Sequence, residues 1–117
     1  MKLNSIHNIY FIGIGGIGMS ALARYFVANK KHVAGYDKTR TEITDSLEDL
    51  GIKTHFEDDI KQIDSRFLNS ETTLIVYTPA VPKDHKELNY FFDNGFEVLK
   101  RSTVLGEITK NTFCFAV

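Results

Sequence analysis

A glycine-rich turn between a short apolar strand and a helix constrains the fold of this chain more than any other feature. The turn runs from Gly13 to Gly18 and reads Gly-Ile-Gly-Gly-Ile-Gly, with a β-prone run at residues 9–12 before it and a helical segment at residues 19–28 after it. In such a GxGxxG turn, the first glycine permits a tight bend, the second lets a pyrophosphate approach the backbone, and the third lets the helix pack closely. The helix start also offers N–H groups to an anion. The sequence therefore predicts a phosphate-binding turn.

An acidic residue stands where dinucleotide-binding folds carry their ribose-binding carboxylate. The second predicted strand, residues 32–36, ends directly before Asp37, and the expected acid lies about 20 residues after the glycines. An isolated Asp after a strand more often opens a turn, here before Lys38, and caps the next helix. In combination with the glycine turn, Asp37 is better interpreted as a partner of a nucleotide ribose or base edge.

The composition is that of one globular domain without a nucleic-acid or membrane signature. The 117 residues are 43% hydrophobic and 25% charged, with a formal net charge of −1. The basic residues are scattered, which argues against a nucleic-acid or anionic membrane partner. A membrane span needs about 20 apolar residues, and glycines interrupt the N-terminal apolar stretch, so we interpret it as neither a span nor a secretory signal.

The chain contains one cysteine, Cys114, in the apolar run near its end. A single cysteine forms no disulfide framework and no cysteine-based metal cluster, so a cytoplasmic location is the default. Cys114 is most simply interpreted as a small buried apolar residue.

Strand and helix signals alternate along the chain. Further strands are predicted at residues 52–56, 72–78, 96–99 and 112–117, and further helices at residues 42–50, 83–94 and 102–110. Residues 57–63 are predicted as a turn or short helix, and residues 64–71 as a polar loop. Repeated βα units indicate an α/β fold: a Rossmann-like, doubly wound parallel sheet in a single domain with helices on both faces. The pattern leaves the order of the strands open.

Ligands of such sheets bind beyond the carboxyl ends of the strands. Thr78 follows the clearest buried strand, and its hydroxyl could either donate to a phosphate or cap its own turn, with spacing favouring neither. Arg101 comes shortly after the strand predicted at residues 96–99 and could reach an anion. A lone arginine, however, is more often solvated. The four histidines are scattered without metal-ligand spacing, so no metal site is predicted.

The chain ends in an apolar run at residues 113–117 with no polar segment after it. Natural domains seldom end on a bare core strand. We therefore expect the sequence to be a fragment that is cut at the edge of the next element.

Four segments along the chain resemble the N-terminal domain of the Mur ligases, and within that family the members that join L-alanine to UDP-N-acetylmuramate. The segments are residues 11–20, which read Phe-Ile-Gly-Ile-Gly-Gly-Ile-Gly-Met-Ser, and residues 35–37, 77–81 and 100–107. The resemblance implies a Rossmann-like UDP-binding domain of a three-domain enzyme, whose central ATPase and C-terminal domains are absent from this chain. It also implies ATP-dependent amide bond formation in peptidoglycan precursor synthesis, with UDP-N-acetylmuramate and L-alanine as substrates. ATP and Mg²⁺ would then bind in the other domains, and this fragment alone would bind neither and be inactive.

The resemblance also implies a set of UDP-binding residues and no catalytic or metal-binding ones. The glycine turn would contact the pyrophosphate, and Asp37 with Lys38 the uridine. Relatives often read Ser-Ser-Ala where this chain has Thr78-Pro79-Ala80, so one hydroxyl is kept and one is lost. Many relatives carry a histidine at the position of Asp58, where an acid argues against a phosphate contact. The full set is Gly15, Gly16, Ile17, Gly18, Asp37, Lys38, Thr78, Pro79, Ala80 and Arg101.

Two other functions fit a glycine turn followed by an acid. One is the NAD-binding domain of a dehydrogenase, and the other is a regulatory nucleotide-binding module. The Gly-Met-Ser start of the first helix favours the ligase over the dehydrogenase. The abrupt apolar end of the chain argues against a self-contained module.

Overall fold

Five parallel strands form one sheet in the order β3-β2-β1-β4-β5 in the computed structural model, which describes residues 5–111 and the side chains of residues 5–108. The strands are β1 (Asn8–Ile12), β2 (His32–Tyr36), β3 (Lys53–His55), β4 (Thr73–Tyr77) and β5 (Glu97–Lys100). The helices are α1 (Ile17–Ala28), α2 (Glu42–Asp49), α3 (Lys86–Asp93) and α4 (Arg101–Asn111). This confirms the predicted Rossmann-like α/β class. The strand predicted at residues 112–117, with Cys114, lies outside the described residues.

Most predicted elements are present with shifted ends, and two differ for physical reasons. The helix predicted from residue 83 begins at Lys86, because His85 is its N-cap and accepts a hydrogen bond from the Leu88 amide through Nδ1 at 3.3 Å. The segment predicted as a polar loop contains the 3₁₀ turn Ser65–Leu68, which buries Phe67 against the sheet. A single aromatic residue in a polar stretch has no periodicity from which this burial could be predicted.

Two apolar layers cover the faces of the sheet. Phe11 of β1 packs on one face with Phe26 of α1 and Val104 of α4. Tyr10, its neighbour in β1, points to the other face and packs with Phe91 of α3. Because all five residues of β1 are buried, this strand has the two-sided burial typical of a central parallel strand. No helix in the described part of the chain is long and apolar enough to span a membrane.

The glycine turn is fixed to the sheet at Gly35 of β2. A Cβ at Gly35 would lie 2.6 Å from Ile14 Cδ1 and 2.8 Å from the Phe11 carbonyl oxygen, so only glycine fits there. The amides of Gly13 and Ile14 both donate to the Tyr36 carbonyl oxygen, at 2.8 and 3.0 Å. The turn therefore leaves β1 in a position that is set by β2.

Candidate functional site

The carboxyl ends of four strands lie side by side. Ile12 of β1 is in register with Tyr36 of β2 and with Tyr77 of β4, and Tyr77 is in register with Lys100 of β5. The residues that follow these strands therefore leave the sheet at the same edge. From β1 the chain continues to β2 and β3 on one side of β1, and then crosses to β4 and β5 on the other side. The strand order therefore reverses between β1 and β4, and open sheets bind ligands at such a point.

The first helix begins at this edge without a side-chain cap. Gly16 is the N-cap residue of α1, with an extended backbone at φ −68° and ψ 152°, and no side chain accepts a hydrogen bond from the helix start. The first intrahelical bond runs from the Ser20 amide to the Gly16 carbonyl oxygen at 2.8 Å. The amides of Ile17 and Gly18 therefore have no acceptor within the helix, and α1 has no acidic residue in its first turn. Such a helix start attracts an anion.

Thr78 lies against the glycine turn across the switch point. Gly13 has a positive φ of 96°, and a Cβ built on it would lie 3.4 Å from Thr78 Oγ1. The Val81 amide donates to the Thr78 carbonyl oxygen at 3.1 Å, so the loop after β4 folds back, with Pro79 and Ala80 exposed. The sequence predicted Thr78 at the same edge of the sheet as the glycine turn, and the structure places the Thr78 hydroxyl beside that turn.

Arg101 lies against the start of α1. A Cβ at Gly18 would stand 2.9 Å from both Cζ and Nη1 of the Arg101 guanidinium. Arg101 is also the first residue of α4, which has no acidic residue in its first turn. Within the described residues, no ion pair of 4.0 Å or less involves this guanidinium. A positive side chain therefore lies beside Gly18 at the start of α1.

Asp37 contacts the glycine turn directly. Its Oδ2 accepts a hydrogen bond from the Gly15 amide at 2.7 Å, and its Oδ1 accepts one from the Thr39 amide at 3.1 Å. The second bond is the turn that an isolated Asp after a strand would form. The cap of α2 is not Asp37 but Thr41, whose Oγ1 accepts from the Thr44 amide at 3.3 Å in a capping box. Lys38 is exposed.

Asp58 caps helix α3 from the loop after β3. Its Oδ2 accepts from the Lys86 amide at 2.8 Å, and its Oδ1 accepts from the Glu87 amide at 3.0 Å. His85 Nδ1 lies 3.4 Å from the same Oδ1. A carboxylate at a helix N-terminus is favourable, and this contact gives the acid at position 58 a structural role.

A buried polar network behind this edge was not predicted. The carboxylate of Glu87, which is fully buried, accepts from the Tyr10 hydroxyl at 2.5 Å and the Asp59 amide at 3.1 Å, and lies 2.7 Å from His55 Nε2. Burial, together with the charge and hydrogen bond of Glu87, raises the pKa of Tyr10. The side chains of this network lie on β1, β3 and α3, so no local spacing could have indicated the network.

This network joins structural elements. Among the residues that the structure describes, no group of three or more His, Cys, Asp or Glu side chains could hold a metal ion. The ring of Tyr36, at the end of β2, contacts both His55 and His85, with centroids 5.8 and 4.6 Å apart. The network therefore fixes α3 and the loop after β3 relative to the strand ends.

The family model of the Mur ligase family, catalytic domain, matches residues 8–112 of this chain. UDP-N-acetylmuramate–L-alanine ligase of Flavobacterium psychrophilum is 58% identical over 117 residues, which are 100% of this chain and 26% of the relative. The enzyme of that name from Porphyromonas gingivalis is 59% identical over 101 residues, 86% of this chain and 22% of the relative.

Two solved ligase structures share the fold of this chain. UDP-N-acetylmuramate-alanine ligase of Thermotoga maritima superimposes with a TM-score of 0.78 at 30% identity, and the match covers 89% of this chain and 23% of that one. A ligase from Neisseria meningitides that acts with UDP-N-acetylmuramate and a tripeptide shares the fold, with a TM-score of 0.74 at 23% identity over 87% of this chain and 31% of that one. The chain thus spans about a quarter of the length of the curated relatives that it matches.

Proposed function

This chain belongs to the Mur ligase family, and we propose that it is the domain that binds the UDP moiety of UDP-N-acetylmuramate. In this proposal the start of α1 and the guanidinium of Arg101 hold the pyrophosphate, Thr78 donates its hydroxyl to a phosphate oxygen, and Asp37 with Lys38 contacts the uridine. The domain positions the substrate and performs no bond-making step. Its contribution to the reaction is to hold the reacting carboxylate at a fixed place, which lowers the entropy cost of the later chemistry.

The observation that carries the proposal is the contact of Arg101 with Gly18. A guanidinium beside the positive end of a helix is favoured when an anion joins it there. The glycine at position 18 makes the space for it, since a Cβ would stand 2.9 Å from Cζ. Arg binds phosphates well because its planar N–H fork can donate two hydrogen bonds at once. The residues present therefore fit a diphosphate.

The polar groups around the turn are of two kinds, donors for a diphosphate and an acceptor for a sugar. The N–H groups of Ile17 and Gly18 and the side chain of Arg101 lie at the helix start, while Asp37 lies at the end of β2 on the other side of Gly15. This separation suits a ligand with a diphosphate at one end and a hydroxyl-bearing sugar at the other. The exposed side chain of Ile17, of which 82% is accessible, lies at the same helix start and would be covered by such a ligand.

The activity that we propose for the whole protein is ATP-dependent ligation of L-alanine to UDP-N-acetylmuramate in peptidoglycan precursor synthesis. In this reaction ATP transfers a phosphoryl group to the substrate carboxylate and leaves as ADP. The amine of L-alanine then attacks the acyl phosphate, and phosphate and a proton leave as the amide bond forms. This chain provides no site for the ATP phosphates, since its sequence lacks the GxxxxGK[ST] loop. We therefore assign ATP, Mg²⁺ and L-alanine to other domains of the same protein, and the use of ATP favours the cytoplasm.

Titration of the isotope-labelled chain with UDP, UDP-N-acetylmuramate and NAD in separate experiments tests this function. The two uridine nucleotides are expected to shift the amides of Gly15, Gly16 and Gly18 in the NMR spectrum more strongly than NAD does. Shifts that are equal or stronger with NAD would favour the dehydrogenase hypothesis. Absence of shifts at these amides with any uridine nucleotide would contradict the proposal.

A further inference from the structure

The amide of Gly15 donates a hydrogen bond to a side chain of the protein itself. Asp37 Oδ2 accepts from it at 2.7 Å, and a Cβ at Gly15 would stand 2.7 Å from the same oxygen and 3.1 Å from Thr44 Cγ2. The carboxylate therefore occupies the space that a side chain would fill, between the glycine turn and α2. Its other oxygen is held by the Thr39 amide at 3.1 Å. No ion pair of 4.0 Å or less neutralises Asp37 within the described part of the chain.

This arrangement opposes the binding of a phosphate on its own. A phosphate oxygen is an acceptor, like Oδ2 of Asp37, so the two compete for the single N–H of Gly15. They also repel each other, because both carry negative charge. At a separation of several ångströms near a protein surface, the repulsion of two unit charges changes an affinity by about tenfold.

A ribose offsets this opposition. Its hydroxyl groups are donors, and each carboxylate oxygen can accept two hydrogen bonds. A nucleotide whose ribose lies at the end of β2 therefore supplies Asp37 with new donors at the moment when its phosphates approach the turn. We infer that Asp37 is a selectivity gate, which disfavours free diphosphate and admits a diphosphate that carries a ribose. This inference rests on the proposed function of the glycine turn.

The variant Asp37→Asn distinguishes a residue that selects between ligands from one that only binds them. Asn keeps an oxygen that can accept from the Gly15 amide, and it removes the negative charge. The matched control is Asp49→Asn, which removes one charge from an exposed position at the end of α2. The dissociation constants of inorganic pyrophosphate and of UDP are measured by calorimetry for the unmodified chain and for both variants.

In Asp37→Asn we expect pyrophosphate to bind about three- to tenfold more tightly and UDP to bind about tenfold more weakly. The control is expected to change both constants by less than about twofold, since exposed charges at a distance are screened. Loss of affinity for both ligands in Asp37→Asn would overturn the gate and leave Asp37 as a residue that holds the turn. That outcome leaves the proposed function intact, whereas failure of UDP to bind the unmodified chain contradicts the proposed function itself.

A second measurement needs no variant. In NMR titrations of the unmodified chain, pyrophosphate is expected to shift the Gly18 amide and to leave the Gly15 amide nearly unchanged, while UDP shifts both. A Gly15 shift with pyrophosphate as large as that with UDP would overturn the gate.

Discussion

The guanidinium of Arg101 occupies the space that a side chain at position 18 would need. A Cβ on Gly18 would stand 2.9 Å from Cζ and Nη1 and 3.1 Å from Nε of Arg101. The third glycine of such turns is usually explained by close packing of its helix on the strand. Here its missing side chain also makes room for a cation from α4. Two segments that are far apart in the sequence therefore meet at the proposed phosphate site.

We predict that Gly18→Ala weakens UDP binding by displacing Arg101. A loss of about tenfold is expected, since a hydrogen bond to a charged group contributes about 1.5–3 kcal/mol and the displaced arginine would keep part of it. The dissociation constant is measured by calorimetry for Gly18→Ala, Arg101→Ala and the double variant. Because both changes remove the same interaction, the double variant should lose little more affinity for UDP than Arg101→Ala alone.

Gly106→Ala is the control for this prediction. Gly106 lies within α4, and a Cβ there would meet nothing within 4 Å. Alanine in a helix interior is more stable than glycine by about 0.5–1 kcal/mol, so this variant should unfold at a slightly higher temperature with unchanged affinity for UDP. Full additivity of Gly18→Ala and Arg101→Ala would show that the contact with Arg101 does not explain the effect.

Asp58→Ala is predicted to reduce stability without affecting UDP binding. The variant leaves the amides of Lys86 and Glu87 without their acceptor, which should lower the free energy of unfolding by about 1–2 kcal/mol. Asp58→Asn keeps an acceptor oxygen and should lose less. Urea denaturation gives the stabilities, and the UDP dissociation constant should change by less than about twofold. A clear change in that constant at unchanged stability would instead assign Asp58 to the ligand.

Tyr10 is predicted to destabilise the fold at alkaline pH. Burial and the nearby Glu87 raise its pKa above the ordinary value of 10.0, so the unfolded chain releases this proton near pH 10 while the folded chain keeps it. Stability is therefore fully present below pH 10 and falls above it, by about 1.4 kcal/mol per pH unit for one group. Tyr36, whose pKa is raised by burial and by nearby acids, adds to the same slope.

Tyr10→Phe tests this prediction because it removes the titrating group. The variant should be less stable at pH 7 by about 1–3 kcal/mol, since Glu87 loses a donor, but its stability should fall less steeply above pH 10. The control is Tyr90→Phe, because the ring of Tyr90 also packs on Phe91. An unchanged alkaline slope in Tyr10→Phe would show that Tyr10 does not titrate as the geometry indicates.

The sequence predicted the elements and the edge of the sheet at which the candidate residues meet, because both follow from local patterns. Periodicity marks strands and helices, and residues directly after parallel strands share one edge whatever the order of those strands. The sequence could not predict that Arg101 reaches Gly18, because the packing of α4 against α1 is set by contacts between distant segments. From its spacing alone Arg101 is one arginine among others, and only the family resemblance singled it out before the structure placed it.

The buried network was beyond sequence reasoning for the same reason. The Tyr10 hydroxyl and the Glu87 carboxylate are 77 positions apart, and Tyr10 and His55 are 45 apart. Each residue alone fits an ordinary interpretation: a tyrosine in a strand, a histidine at a strand end, a glutamate in the first turn of a helix. Asp58 likewise caps a helix that begins 28 positions later, and no local pattern indicates such a cap.

A chimeric ligase tests the activity that we propose for the whole protein. Residues 1–117 replace the matching segment of the Flavobacterium psychrophilum enzyme, which is 58% identical over the same 117 residues. We expect the chimera to release phosphate from ATP only when UDP-N-acetylmuramate and L-alanine are both present. The 117-residue chain alone should release none, since it lacks the GxxxxGK[ST] loop.

Arg101→Ala in the chimera then tests the role of the site within the reaction. Loss of a charge-assisted contact of about 1.5–3 kcal/mol should raise KM for UDP-N-acetylmuramate at least about tenfold, while KM for ATP and for L-alanine stay unchanged. Because the contact is made equally before and during the chemistry, kcat should change little. The Gly106→Ala chimera should match the unmodified chimera in all three constants. A large fall in kcat at constant KM would contradict the proposed division, in which this domain binds UDP and the other domains perform the chemistry.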